Sequence, residues 1–300
     1  MPRLTDLQFR LEYAALRLLV AIVRAFPLDT AVAISARIWR WVARLDKRRH
    51  ARALANLAIA FPEKSARERE RIALRMWENL GRVMAETMQL DRILADPARI
   101  EIIDPHVFNR YRDKDGGIIG VTLHTGNWEL AVYPLSAGGK TPAAVYRLVK
   151  NPYVDRYLRA QRRHLYPGGL FGKGKAFGNE EARKTARLIM DYVRQGGQLG
   201  LVCDLFDKKG LAVPFFGQPA RSTPAAAMIA RRTGARIWIG RTIRQGKGSN
   251  FKIEFKELKV PRTANQGDDI KAATAAMQAQ FEAWVREYPE QWMWSNRRWS

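Results

Sequence analysis

The sequence predicts an α/β fold, with a mostly parallel or mixed central sheet flanked by helices and a stretch of amphipathic helices ahead of it. Two observations carry that prediction. Up to Pro97 the chain reads as helix, whereas from Arg99 onward short apolar runs alternate with helical stretches, separated by Gly, Pro and Asn. The runs Gly117-Ile118-Ile119-Gly120-Val121-Thr122-Leu123 and Gly197-Gln198-Leu199-Gly200-Leu201-Val202-Cys203 lack in-out alternation, as strands covered on both faces do. The change of texture divides the chain into a helical region over 1–97 and an α/β core over 98–300. No linker is long enough to demand that the two fold independently.

The elements follow in order. Arg3, Arg10, Arg17 and Arg24 recur every seven residues, which on a helix stacks them into one slowly drifting basic stripe beside leucine and alanine. After a Pro27-Leu28-Asp29 break, Ile34, Ile38, Trp41 and Leu45 form an apolar stripe, and Arg37, Arg40, Arg44 and Arg48 a second basic one. Two such helices are suited to the headgroup plane of a membrane, with arginines toward phosphates and Trp39 and Trp41 as interfacial aromatics. Ordinary packing onto the domain is the competing reading. Ser65-Ala66-Arg67-Glu68 is a capping box opening a helix to about Leu90, with Ile72, Met76, Leu80 and Val83 on one face. Strands are predicted at 118–123, 143–146, 199–203, 236–241 and 251–255. Helices are predicted at 128–135, 152–164, 180–195, 224–233 and 268–288. In the last of these Ile270, Met277, Phe281, Trp284 and Tyr288 share a face that would cover the sheet. Gly168 to Gly178 reads as the most flexible connection.

Composition narrows the function classes. With 47% apolar residues the 300-residue chain has ample material for a core, and disorder is excluded. Fifty-two Lys and Arg against 29 Asp and Glu give a net charge of +23, which calls for a polyanionic partner: nucleic acid, an anionic membrane face or an acidic protein. No helix-turn-helix, zinc-finger or RNA-binding aromatic signature is present, so a nucleic-acid partner is not expected. Cys203 is the sole cysteine, which excludes an internal disulfide and a cysteine-based zinc site. Neither metal-ligand spacing nor a phosphate-binding glycine loop appears, and no cofactor is expected. Leu11 to Phe26 is interrupted by Arg17 and Arg24, so neither a secretory signal nor a bilayer-length apolar span is visible.

The chemistry concentrates in His124-Thr125-Gly126-Asn127-Trp128-Glu129, directly after the first buried-strand pattern. His124 and Glu129 are five apart, about 140° around a regular helix, so they can cooperate only at a strand-to-helix turn. There Gly126 permits the bend, Asn127 caps, and Glu129 falls in the first helical turn. A structural turn with a dipole-paired Glu129 is the alternative reading. Asp204 ends a second apolar strand, and if the two strands are parallel neighbours it meets His124 at one sheet edge, where it can orient the imidazole. Cys203 points the other way by strand alternation and reads as an inert hydrophobe. Arg147 follows Ala143-Ala144-Val145-Tyr146 in the same topological position, as a phosphate or oxyanion contact or as a surface ion pair. Phe215-Phe216-Gly217 and Arg221 read as an apolar lip with a basic rim. His124, Glu129 and Asp204 are thus the catalytic candidates, and Arg147, Asn127 and Arg221 the substrate-binding ones.

The combination of His124-Thr125-Gly126-Asn127-Trp128-Glu129, Val145-Tyr146-Arg147, Asp204, Val213-Pro214-Phe215-Phe216-Gly217, Ser222-Thr223-Pro224 and Pro289-Glu290-Gln291-Trp292 with Arg298-Trp299 resembles the bacterial late lipid A acyltransferases, the lauroyl and myristoyl transferase family. The resemblance implies a glycerolipid-acyltransferase-like fold. It also implies transfer of an acyl chain from an acyl carrier protein thioester, or acyl-coenzyme A, to a hydroxyl of a lipid A precursor at the cytoplasmic face of the inner membrane. A lysophospholipid, an aminolipid or another glycolipid is the alternative acceptor. The family's base maps onto His124 and its motif carboxylate onto Glu129, with Arg147 and Asp204 at further family positions. Glu129 and Asp204 remain alternatives for orienting the base. Asn296 stands where the family commonly has His, and the arginine-broken N-terminus differs from the cleaner anchor of many relatives.

Overall fold

A computed structural model of the chain describes residues 2–106, 109, 116–173 and 179–299. The helical region contains α1 (Pro2–Arg24), α2 (Leu28–Leu45), α3 (Lys47–Ala60), α4 (Ala66–Thr87) and α5 (Leu90–Leu94). Where the charge pattern suggested one helix to Arg48, the chain breaks at Asp46, whose side chain accepts from the Arg49 N–H and caps α3. The capping box at α4 is formed: Glu68 N–H donates to Ser65 Oγ at 3.3 Å and Ser65 N–H to Glu68 Oε2 at 2.8 Å.

The core is a seven-stranded mixed sheet in the order β1-β9-β8-β2-β5-β3-β4. Its strands are β1 (Ile100–Ile102), β2 (Ile118–Thr122), β3 (Ala143–Arg147), β4 (Gly169–Lys173), β5 (Gln198–Val202), β8 (Arg236–Gln245) and β9 (Asn250–Leu258), with a separate hairpin of β6 (Phe206–Phe215) and β7 (Gln218–Ser222). β8, β2, β5, β3 and β4 are parallel, while β9 runs antiparallel to β8 and parallel to β1. Helices α6 (Tyr133–Ala137), α7 (Pro152–Arg162), α8 (Asn179–Arg194), α9 (Ala225–Thr233) and α10 (Gln266–Glu287) flank it. Four strands went unanticipated: β1, β6, β7 and β4. The last occupies the start of the segment expected to be a flexible connection, whose remainder, 174–178, lies outside the described residues. The segment after Trp128 also differs from the single helix expected, being a 3-10 helix over Trp128–Val132 followed by α6.

The two sheet faces have different jobs. Ile119, Val121, Leu123, Leu199, Leu201, Ile237 and Ile239 point into one large core shared with Leu57, Met76, Trp77, Met277, Phe281 and Trp284 of the helices. The alternate positions on the other face include Gly120, Gly200 and Gly240, on three adjacent strands. With no side chains there, the Phe255 ring packs onto Gly240 and space is left over Gly120 under α6 and α7.

The apolar stripe of α2 faces outward. Its buried residues are Leu28, Ala31, Val32, Ala36 and Ala43, whereas Ile34, Ile38, Trp41 and Leu45 are exposed, Trp41 by 56%. Trp39, expected at an interface with lipid, instead stacks on Trp77 with ring centroids 6.0 Å apart, because Gly81 of α4 leaves room for it. The arginine stripe of α1 is docked onto α7: Arg10 lies over the Tyr153 ring at 5.6 Å and Arg17 over Tyr157 at 5.6 Å. The Arg3 side chain lies outside the described residues.

Candidate active site

β2 and β5 are parallel neighbours, with Thr122 opposite Val202, so the residues just beyond them emerge together. The Asp204 carboxylate closes on His124 from two directions. It accepts from His124 Nδ1 at 2.8 Å through Oδ1 and from the His124 backbone N–H at 2.8 Å through Oδ2. Trp292 Nε1 donates to Oδ2 at 2.7 Å. Since the carboxylate can only accept, Nδ1 carries the imidazole proton and Nε2 keeps its lone pair. Nε2 has no hydrogen-bond partner among the described residues, and the ring lines a cavity of about 550 Å³. Trp128 sets the ring edge-on, its centroid 5.0 Å away.

Burial alone pushes the His124 pKa down, but the charge and hydrogen bond of Asp204 outweigh it and hold the imidazole above its ordinary 6.5. Burial likewise raises Asp204, and the His124 contacts with the Trp292 donor hold it below 3.8. Behind Asp204 lies Arg298, fully buried, donating to Ser222 Oγ and Gln278 Oε1 at 2.9 Å each, while Gln278 Nε2 donates to the Cys203 carbonyl at 2.9 Å. Burial pulls the Arg298 guanidinium down to about 10, against the attraction of Asp204. Cys203 itself is buried on the opposite face of the strand.

Glu129 does not partner His124. It forms a fork with Arg162 of α7, whose Nη2 and Nε donate at 2.6 and 2.9 Å, and both side chains line the cavity. Glu129 outweighs desolvation and raises the Arg162 pKa. Arg162 was not singled out in the sequence, because Arg156, Arg159, Arg162 and Arg163 crowd one helix and nothing local marks which turns inward. Arg147 lies at the end of β3, exposed, on the rim of the same cavity.

Two substrate-binding candidates are placed elsewhere. Asn127 is wholly buried: its Nδ2 donates to Glu86 at 3.0 Å and its Oδ1 accepts from the Glu129 N–H at 3.3 Å, so it builds the turn and does not line the cavity. Arg221 sits on β7, donates to the Gly210 carbonyl at 3.4 Å and does not line the cavity. The expected apolar lip is likewise interior. Phe215 and Phe216 pack with Trp292, Trp294 and Phe61, since Phe216 and Gly217, at φ 53° and 69°, make a two-residue hairpin turn that folds them inward.

The turn is held from behind. Gly126 has φ 55°, and a Cβ there would lie 2.1 Å from the Thr242 carbonyl oxygen. Asn79 donates to the Gly126 and Gln291 carbonyls at 3.1 Å each, and Glu86, fully buried, pairs with Arg244, which donates to Asn79 Oδ1 at 3.0 Å. No group of three or more potential metal ligands gathers among the described residues.

A family model described as bacterial lipid A biosynthesis acyltransferase matches residues 5–300. The chain belongs to this family. It is accordingly an O-acyltransferase. It is 27% identical over 263 residues to the lipid A biosynthesis lauroyltransferase of Escherichia coli (strain K12), a match covering 85% of this chain and 80% of that one. To the lipid A biosynthesis myristoyltransferase of the same organism it is 26% identical over 267 residues, 87% and 78% of the two chains. A match to lipid A biosynthesis acyltransferase 2 of Shigella flexneri, 27% identical over 182 residues, covers 59% of this chain and about half, 54%, of the relative. In this acyltransferase the motif histidine and Asp204 are brought together by strand pairing, while the motif carboxylate Glu129 is drawn to Arg162.

Proposed function

We propose that the protein transfers a fatty acyl chain from an acyl thioester, carried by acyl carrier protein or coenzyme A, to a hydroxyl of a lipid A precursor at the cytoplasmic face of the inner membrane. The observation that carries this reading is an unpartnered imidazole nitrogen, oriented by Asp204, at the head of a long apolar cavity. From His124 back to Ile118 the cavity follows β2 for roughly 20 Å at about 3.3 Å per residue. At about 1.2 Å of length per chain bond, that accommodates an extended acyl chain of roughly 16 carbons.

His124 Nε2 takes the acceptor hydroxyl proton as the oxygen attacks the thioester carbonyl. The tetrahedral oxyanion that forms is stabilised by a cation at the cavity, for which Arg147 is the candidate. Its collapse breaks the C–S bond, and the imidazolium returns the proton to the departing thiolate. Asp204 orients the ring and stabilises its protonated form through the reaction. Glu129 holds Arg162 against the cavity wall. No acyl-enzyme is required, and Cys203 takes no part.

Membrane contact is supported by the outward apolar faces of α1 and α2, where Leu11, Leu18, Ile22, Ile38, Trp41 and Leu45 are exposed beside basic residues. No helix among the described residues is long and apolar enough to cross a membrane, so we assign this contact to the interface. The domain division proposed is a helical membrane-associating region over 1–97 joined to an acyltransferase core over 98–300.

The test is acyl transfer by purified protein in mixed micelles containing an acyl carrier protein thioester and an under-acylated lipid A precursor, read by lipid mass spectrometry. Wild type adds one acyl ester, and His124→Ala loses about 10²–10⁴-fold in rate with an unchanged circular dichroism spectrum. Equal rates for the two proteins would remove His124 as the base. Transfer to a lysophospholipid but not to the precursor would replace the acceptor.

A further inference from the structure

A second concavity lies outside the catalytic cavity. It has a volume of about 500 Å³ and lies between α1 and α7 over α5, where Arg17, Arg24, Asp91, Tyr157, Gln161 and His164 line it. Its one acid is already committed. Arg24 donates to both Asp91 oxygens, at 2.6 and 2.8 Å, and to the Met88 carbonyl at 3.2 Å. Arg17 is different: one Nη1 bond to Tyr13 Oη at 3.0 Å fixes its guanidinium over the Tyr157 ring, and its remaining N–H groups have no partner among the described residues. His164 is exposed beside it and makes no hydrogen bond among the described residues.

We propose that this groove is a binding site for the phosphate headgroup of an anionic membrane phospholipid. The proposal rests on the membrane-surface reading above and goes beyond it by naming the site. A guanidinium held over an aromatic ring by a side-chain hydrogen bond presents its remaining N–H groups with little further ordering, which suits a phosphate oxygen pair. Gln161 and His164 supply further polar groups from the opposite wall. The neighbours of Arg17 on α1 identify the ligand as an amphiphile rather than a free anion. Leu11, Leu18 and Ile22 form an exposed apolar row on the same helix, about 100° around its axis from Arg17 and Ala21, and acyl chains lie along that row while the headgroup reaches round to the groove.

The site also has a place in the enzyme. α7 and the turn after it form the wall between the two cavities: Leu158, Arg162 and Tyr166 line the catalytic side, and Tyr157, Gln161 and His164 line the groove. A headgroup seated between α1 and α7 therefore braces the helix whose Arg162 holds Glu129.

The test uses the full chain, sedimented with phosphatidylcholine vesicles that lack or contain phosphatidylglycerol. Arg17→Gln removes the cation. Ala160→Trp, at an exposed position lining the groove, fills it without changing charge. Arg232→Gln, exposed on α9, is the charge-matched control. Wild type prefers the phosphatidylglycerol vesicles, and both groove variants lose that preference by about five-fold or more, as one cation at an anionic surface contributes. The control keeps it, and inorganic phosphate does not displace the protein. Full preference in Ala160→Trp, or an equal loss in Arg232→Gln, would overturn the groove in favour of diffuse surface charge. Displacement by phosphate alone would overturn the lipid as its ligand. Wild type bound equally to both vesicles sinks this proposal while leaving the membrane reading intact, and wild type bound to neither sinks both.

Discussion

At the scale of residues, one carboxylate controls the proposed base. Asp204 is fully buried, and among the described residues every hydrogen bond it accepts comes from His124 or Trp292, so its charge acts on the imidazole with little solvent screening. Two pH effects of opposite sense follow. The raised His124 pKa contributes stability that is fully present below 6.5 and lost as pH rises through the raised value. The depressed Asp204 pKa contributes stability present above 3.8 and lost as pH falls through the depressed value. Activity by the proposed mechanism, by contrast, needs the neutral imidazole and is expected to grow as pH rises through the raised His124 pKa. In Asp204→Asn that attraction is gone, and burial lowers the ring's pKa against the charge of Glu129 alone. The acid limb of the kcat/KM profile then moves to lower pH, and the plateau falls by at least about 10²-fold as the ring loses its orientation. A profile whose limb stays in place would show that Asp204 does not set the base.

At the scale of elements, the turn carrying the proposed base and the proposed acyl cavity are both made by glycine, for different reasons. Gly126 is demanded by backbone: its positive φ and the Thr242 carbonyl leave no room for a Cβ. Behind it, the Glu86–Arg244 pair of α4 and β8 fixes Asn127, and loss of either partner would strand a buried charge at a cost of about 3–5 kcal/mol. Gly120 is demanded by volume. With Gly200 and Gly240 it paves the cavity floor under α6 and α7, and a Cβ at 120 would meet only the Leu199 carbonyl oxygen at an ordinary 3.9 Å. Gly120→Leu is therefore expected to fold, to retain the dyad, and to fill the cavity midway along its length. With a series of thioesters of increasing chain length, the variant should favour the shorter donors at least about ten-fold relative to wild type. An unchanged chain-length preference would place the acyl chain elsewhere.

At the scale of the whole molecule, the first two helices combine unburied apolar side chains with excess positive charge. On α2 Ala31, Ala36 and Ala43 pack inward while Ile34, Ile38, Trp41 and Leu45 point out, the reverse of what a surface helix of a water-facing domain does. The net charge of +23 adds attraction to an anionic surface that salt screens, while the apolar contribution is insensitive to salt. Replacing both Trp41 and Leu45 by alanine should reduce partitioning to phosphatidylglycerol vesicles by about ten-fold or more, since each side chain contributes up to about 1.5–3 kcal/mol when fully buried. The melting temperature in solution should stay constant, because neither residue is packed. A lowered melting temperature with unchanged partitioning would mean that these residues serve the fold.

The α/β class, the α4 capping box, the place of five strands and the meeting of His124 with Asp204 were legible because they rest on local signals. Apolar runs mark strands, a cap marks a helix start, and residues just past parallel strands emerge on one edge. The β6–β7 hairpin and β4 were not legible, since Pro214 and Pro219 in the hairpin and Gly169 and Gly172 in β4 interrupt any strand pattern, and these segments pair only where the fold brings them together. Composition could not say which side of α2 was inside, because an apolar stripe has the same period whether it meets a core or a lipid surface. The choice of carboxylate was likewise undetermined. Glu129 and Asp204 stood as equals in the sequence, and it is α7, delivering Arg162 to one, and β2–β5 pairing, delivering His124 to the other, that separates them. The sequence alone thus determined which residues could carry acyl-transfer chemistry. Tertiary structure decided their pairing, because hydrogen bonds act over about 3 Å and that distance is set by packing between segments far apart in the chain.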